Sequence, residues 1–235
     1  MHAAERETQA DGLAGPAAPT RLTGQADPSG PSAAPGAAVP AGGPPPLVFD
    51  LEVLYGPDEA GGWGRKDRMG VAVAVALALG RGEFTVYWGD GSPGLDDLCL
   101  ALSRAPFVIG WNHVGFDYAV LRAAGHAVRQ PRNADLQRIV QARAGGRASG
   151  GLDGVARATL GRGKGRDSAL LPRMFRQGDR ELVAAECRLH VELTAELYRF
   201  AEARGFLRLA DGSSVRIPRA ALRPGPISPQ KRSCR

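Results

Sequence analysis

The run Val71-Ala72-Val73-Ala74-Val75-Ala76-Leu77-Ala78-Leu79 constrains this chain more than any other stretch. Large apolar residues fill its odd positions and alanine fills every even one. On a strand, successive side chains point to opposite faces. Both faces are therefore apolar, so the strand is expected at the centre of a sheet covered on both sides. Its alanine face leaves room for another element to approach closely. A sheet covered on both faces implies helices above and below it, an α/β fold.

Neighbouring segments extend that sheet. Residues 47–54 alternate and are rich in β-formers, which predicts a first strand. A polar loop, 56–68, follows it. Residues 83–88 predict a third strand, joined to the second by Gly80-Arg81-Gly82 as a hairpin. The three strands form an antiparallel meander. Ser92-Pro93 starts a helix to about Ser103, with Leu95, Leu98, Cys99 and Leu102 on one stripe. Residues 107–110 are a short buried strand, and Trp111 to Tyr118 lead into a helix ending near Gly125. Further helices are expected at 135–144, 152–160 and 169–177. The longest, 180–203, is capped by Asp179 and ended by Gly205. Leu182, Ala185, Leu189, Leu193, Leu197 and Phe200 mark its core side. Residues 206–209 and 214–217 flank Asp211-Gly212, a hairpin signal.

The two ends read differently. Residues 1–46 are dominated by Ala, Pro and Gly and lack large apolar periodicity, which predicts a disordered tail. No basic start precedes an apolar block there, so a signal peptide is not expected. The folded domain is expected over 47–221, followed by a basic disordered tail at 222–235. No stretch reaches the roughly 18 apolar residues of a membrane span. Cys99, Cys187 and Cys234 are odd in number and lack metal-ligand spacing. They argue against a disulfide framework and a structural zinc site, and suit a reducing cytoplasm. Net charge is +6, of which residues 1–46 carry −2 and the remainder +8. That balance favours an acidic partner, with nucleic acid the first candidate.

Chemistry concentrates in the first strand, where Asp50 and Glu52 point to one face with backbones about 7 Å apart. Apolar neighbours surround them, and burying two carboxylates costs several kcal/mol unless cations compensate. A divalent ion is the simplest compensator, and oxygen ligands select magnesium or manganese. Asp117 falls in the first turn of its helix, at a strand–turn–helix joint of the kind where α/β sites gather. Residues 161–166, Gly-Arg-Gly-Lys-Gly-Arg, invite a phosphate-loop reading. That reading fails, because Ala158 holds the first glycine position, Gly165 replaces the required Ser/Thr and no strand precedes it. A basic loop that meets backbone phosphates fits better.

Taken together, three strands, helix, strand and helices, with Asp50-x-Glu52 and Asn112-x-x-x-Phe116-Asp117, resemble the RNase H-like fold of the DEDD 3′–5′ exonuclease superfamily, which includes polymerase proofreading domains. The likeness continues through Gly151 to Gly161, Lys164, and Glu186 to Thr194. It covers about 47–203 and looks like a prokaryotic branch found alone or beside helicase modules. The resemblance implies a metal-dependent 3′–5′ exonuclease with two divalent cations, Mg²⁺ or Mn²⁺. It implies single-stranded DNA or RNA as substrate, and a helicase or other nucleic-acid enzyme as partner. Asp50, Glu52 and Asp117 would hold metal, Asn112 would hold the turn that aims Asp117, and Phe116 would wedge at the terminal base. Arg147, Lys164 and Arg166 would meet nucleic acid.

The chain departs from these relatives in its last motif. Glu186 stands where they have tyrosine, and His190 where they have the fourth aspartate. The pair lies on one helical face, at i and i+4. Glu186 could accept a proton from water, and a neutral His190 could ligate manganese or a later metal. Glu192 cannot substitute, because two residues turn it about 200° away. A catalytically inactive relative that binds nucleic acid or a protein is the alternative, and an unrelated structural domain the third.

Overall fold

The computed structural model describes residues 43–130, 132–145 and 151–223. Most of both expected tails, Cys234 and Arg147 lie outside the described residues. Strands β1 (Leu47–Val53), β2 (Val71–Ala78) and β3 (Glu83–Trp88) form the expected antiparallel meander. Strand β4 (Val108–Gly110) pairs parallel to β1, and β5 (Asn133–Asp135) parallel to β4. The sheet order is β3-β2-β1-β4-β5. This five-stranded mixed sheet, flanked by helices, is the α/β architecture anticipated and is consistent with an RNase H-like fold.

Strand β2 is buried on both faces, as its composition demands, with Ala72, Val73, Ala74 and Val75 fully enclosed. Its Val73, Val75 and Leu77 join the core beneath α5 (Leu152–Leu160), α6 (Leu171–Arg176) and α7 (Arg180–Arg204). Ala74 and Ala76 face the second core, shared with α2 (Leu95–Arg104) and α3 (Asp117–Ala123). The middle of the sheet, however, belongs to β1, because β3 takes the other edge of β2. The first loop is also more ordered than its polarity suggests, holding one helical turn, α1 (Pro57–Ala60), and a 3₁₀ turn at Lys66–Arg68.

Two further expectations are corrected. The helix expected from Asp135 is shorter, α4 (Leu136–Gln141), and the strand β5 before it was not anticipated. Three residues are too few to show a period. On α7, the core side is not the predicted stripe. Leu193 and Leu197 are buried, but Ala185 is exposed and Leu182, Leu189 and Phe200 are only partly covered. The helix instead turns Val183, Cys187, His190, Val191, Thr194 and Ala201 inward. A polar histidine and threonine on that stripe hid it from an apolar count. Asp179 does hold the N-cap position, though its side chain makes no capping bond. Strands β6 (Phe206–Arg208) and β7 (Ser214–Arg216) form the expected hairpin, and α8 (Arg219–Leu222) follows. No helix among the described residues is long and apolar enough to cross a membrane.

Candidate functional site

Strand β1 pairs with β4 only at Leu47 and Val48. Past that point β4 ends at Gly110, and Asn112 adopts a left-handed φ of 63° that turns the chain away. The Leu51 N–H is left without a strand partner, and Asp117 Oδ1 accepts it at 3.1 Å. The first turn of α3 is thereby fixed to the β1 backbone at Leu51. Asp117 is 2% exposed. Burial first, and then the charges of Asp50 and Glu52, push its carboxyl well above the usual carboxylate range.

The carboxylates of β1 point the other way, toward α7. His190 Nδ1 lies 2.9 Å from Glu52 Oε1 and 3.2 Å from Asp50 Oδ2. Burial opposes a charge on this imidazole, but the hydrogen bonds and charges of both acids outweigh it and push its pKa up to about 9. An imidazolium thus bridges the two carboxylates. Burial also raises Glu52, against the pull of His190. The other ring nitrogen, Nε2, is buried and has no hydrogen-bond partner among the described residues.

Asp50, Glu52 and Cys187 offer ligand atoms that all lie within 4.8 Å of one another. Cys187 comes one turn before His190, and its Sγ donates to the Asp50 carbonyl at 3.4 Å. Its thiol is pushed well above the ordinary value by burial and by the surrounding acids. Sequence reasoning missed it, since an isolated cysteine carries no ligand spacing. Glu192 points elsewhere, as expected, and pairs with Arg188 at 3.0 Å.

Glu186 is mostly buried and sits against the basic loop. Arg166 Nε lies 3.4 Å from its Oε1, and its Oε2 is without a hydrogen bond among the described residues. A Cβ on Gly165 would come within 2.7 Å of that carboxylate, so glycine there lets the loop close over it. Lys164 Nζ donates to Ser168 Oγ at 2.8 Å, and its charge helps to stabilise ionised Glu52. Lys164, Arg166 and Arg157 line a cavity of about 470 Å³ at the start of α5. None of Glu186, Lys164 or Arg166 makes a direct bond to Asp50.

The turn before Asp117 has an organiser that the sequence did not reveal. Asp135, 4% exposed, accepts the N–H groups of Asn112 at 3.0 Å and Val114 at 3.2 Å. It also caps α4 by accepting Arg138 N–H at 3.3 Å. Asn112 contributes through its left-handed backbone and its carbonyl, which accepts Phe116 N–H at 2.8 Å. Replacing Asp135 by Ala strands the two amides of the turn, each worth about 1–3 kcal/mol if left unpaired, and also removes the α4 cap at Arg138 N–H. Chemical denaturation of Asp135→Ala is expected to show a loss of about 2–3 kcal/mol, with Asp135→Asn losing less.

No family model matches the chain, and no curated protein matches it. Among solved structures it is similar to the family B DNA polymerase from the hyperthermophilic archaeon Pyrobaculum calidifontis, at 19% identity and a TM-score of 0.49. The likeness covers 66% of this chain and 24% of the polymerase, so the chain spans about a quarter of that protein's length.

Proposed function

We propose that this chain is an exonuclease-type domain that hydrolyses phosphodiester bonds at the 3′ end of a nucleic acid. One observation carries the reading: Asp50 and Glu52 of β1 converge with Cys187 within 4.8 Å, His190 of α7 lies between the two acids, and Asp117 of α3 bonds the Leu51 N–H of the same strand. Burying Glu52 and Asp117, with Asp50 half-buried on the same strand as Glu52, does not stabilise a fold. A domain that retains them uses their charge.

The donor set fits divalent ions of the magnesium and manganese class, since Asp50 and Glu52 supply hard oxygens at one point, and Asp117, outside that group, would reach such an ion through a water. Two such ions, as in the superfamily it resembles, activate water and stabilise the leaving oxygen when bound. The chain's own residues do the rest. His190 Nδ1 holds both β1 carboxylates in one orientation. Glu186 is the candidate base, from its place under the basic loop beside Arg166. Phe116 stands against the terminal base, and Lys164 and Arg166 meet phosphates. Arg147 remains a candidate for the same role, and single-stranded nucleic acid with a helicase or other nucleic-acid enzyme remains the expected company.

A second reading rests on the His190 bridge. An imidazolium between Asp50 and Glu52 compensates them without a metal, which suits a domain that binds nucleic acid and does not cut it. The test uses end-labelled single-stranded DNA and RNA with Mg²⁺ or Mn²⁺, comparing wild type, Asp50→Asn and His190→Asp. Shortening by wild type that Asp50→Asn lacks supports hydrolysis. Shortening by His190→Asp alone supports the binding domain.

A further inference from the structure

The β1–β2 connection carries an aromatic surface that the acidic cluster does not use. Trp63 is 66% exposed and Tyr55 44%, two of the four large apolar side chains so exposed among the described residues. Trp63 belongs to neither core. An indole left in water forgoes the burial that usually stabilises it. Its ring instead meets Phe116 edge-to-face, with centroids 5.8 Å apart. Phe116 immediately precedes Asp117.

The loop that carries Trp63 is anchored. Lys66 Nζ donates to the Trp63 carbonyl at 2.7 Å and lies 5.8 Å from the Phe116 ring centroid. The Lys66–Arg68 turn packs on α3, and Met69 beside it is fully buried. Residues 65–68 carry Arg65, Lys66 and Arg68 against a single acid, Asp67, which Arg65 holds at 2.9 Å. An exposed indole on an anchored loop therefore stands against Phe116, the residue before Asp117, with positive charge around it.

We propose that Trp63 is a stacking platform for an unpaired nucleobase of the strand whose end enters the acidic cluster, with Lys66 and Arg68 meeting the adjoining phosphates. The proposal rests on the nucleic-acid reading above and deepens it, by naming the side chain on which an unpaired base stacks. Every base has a π-face, so stacking needs no particular sequence, while a closed duplex hides that face. Cations beside the ring supply the phosphate contacts that position a strand.

The experiment measures fluorescence anisotropy of a labelled oligothymidylate of about twelve nucleotides, in EDTA so that no hydrolysis occurs, beside a blunt duplex of equal length. Trp63→Ala is expected to weaken single-strand binding by about tenfold and to leave duplex binding unchanged. Trp63→Phe should recover most of the loss. Arg68→Ala should lower the slope of log affinity against log salt by about one. Because Trp63 is exposed, the melting temperature of Trp63→Ala should match wild type. Equal single-strand binding by wild type and Trp63→Ala, or an equal loss on duplex, overturns the platform while leaving the hydrolysis reading in place. Trp63-dependent binding without hydrolysis under any cation supports the platform and removes hydrolysis alone. A wild type that binds no oligonucleotide overturns both.

Discussion

Asp50→Asn is expected to lower hydrolysis of a labelled single strand by more than about a hundredfold. Outer partners of metal ligands already cost about 10–100-fold when removed, so loss of Asp50, proposed as a direct ligand, should cost more. Asn keeps the shape of Asp50 but removes the charge that attracts a cation. It also leaves His190 Nδ1 its contact with Glu52, at 2.9 Å, so the fold should survive. Circular dichroism melting would separate the two effects: activity should vanish while the transition stays cooperative. A variant as active as wild type would remove Asp50 from the chemistry.

The second large effect is on stability. His190→Asn deletes the cation that lies between Asp50 and Glu52. Breaking a buried pair by removing one partner costs about 3–5 kcal/mol, because the remaining charge is uncompensated. For a domain of this size, that corresponds to a fall in Tm of about 10 °C. Added Mn²⁺ or Mg²⁺ should restore much of it, because an ion that binds only the folded state stabilises it. A variant as stable as wild type without metal would show that the imidazole contributes no compensation.

The same residue fixes a pH dependence. The folded pKa of His190, about 9, lies above its ordinary value of 6.5. Its contribution is therefore complete below about pH 6.5 and lost as the pH rises through about 9. Glu52 and Asp117 are raised above 4.5 and 3.8, so their protonation also favours the folded state on the acid side. All three act in one direction, and Tm should fall from about pH 7 to about pH 10. In His190→Asn that fall should move to lower pH, because only the carboxyls remain to titrate. A flat Tm across this range in wild type would refute the bridge.

How much of this was legible beforehand depends on the range of each interaction. The alternation of β2 and the Asp50-x-Glu52 spacing were visible because strand periodicity is local. So were the hairpins at Gly80 to Gly82 and Asp211-Gly212, which turn chemistry announces. Strand β5 was hidden, because its three residues are defined by pairing to β4 rather than by any pattern of their own. In the sequence, Asp135 has only the appearance of a helix start. Its hold on Asn112 and Val114, 23 and 21 residues away, is a tertiary fact. The face of α7 escapes an apolar count because His190 and Thr194 turn inward, where such a count expects leucine.

The sequence by itself determined a sheet covered on both sides, two acids on one strand face, and a third at a strand–turn–helix joint. Periodicity and turn chemistry act over a few residues and need no knowledge of what lies opposite. Only the tertiary structure decided that Asp117 accepts the Leu51 N–H, and that an imidazole from a helix 140 residues along the chain lies between Asp50 and Glu52. Charge compensation in a buried site depends on distances of about 3 Å between segments remote in sequence, and those distances exist only once the chain has folded.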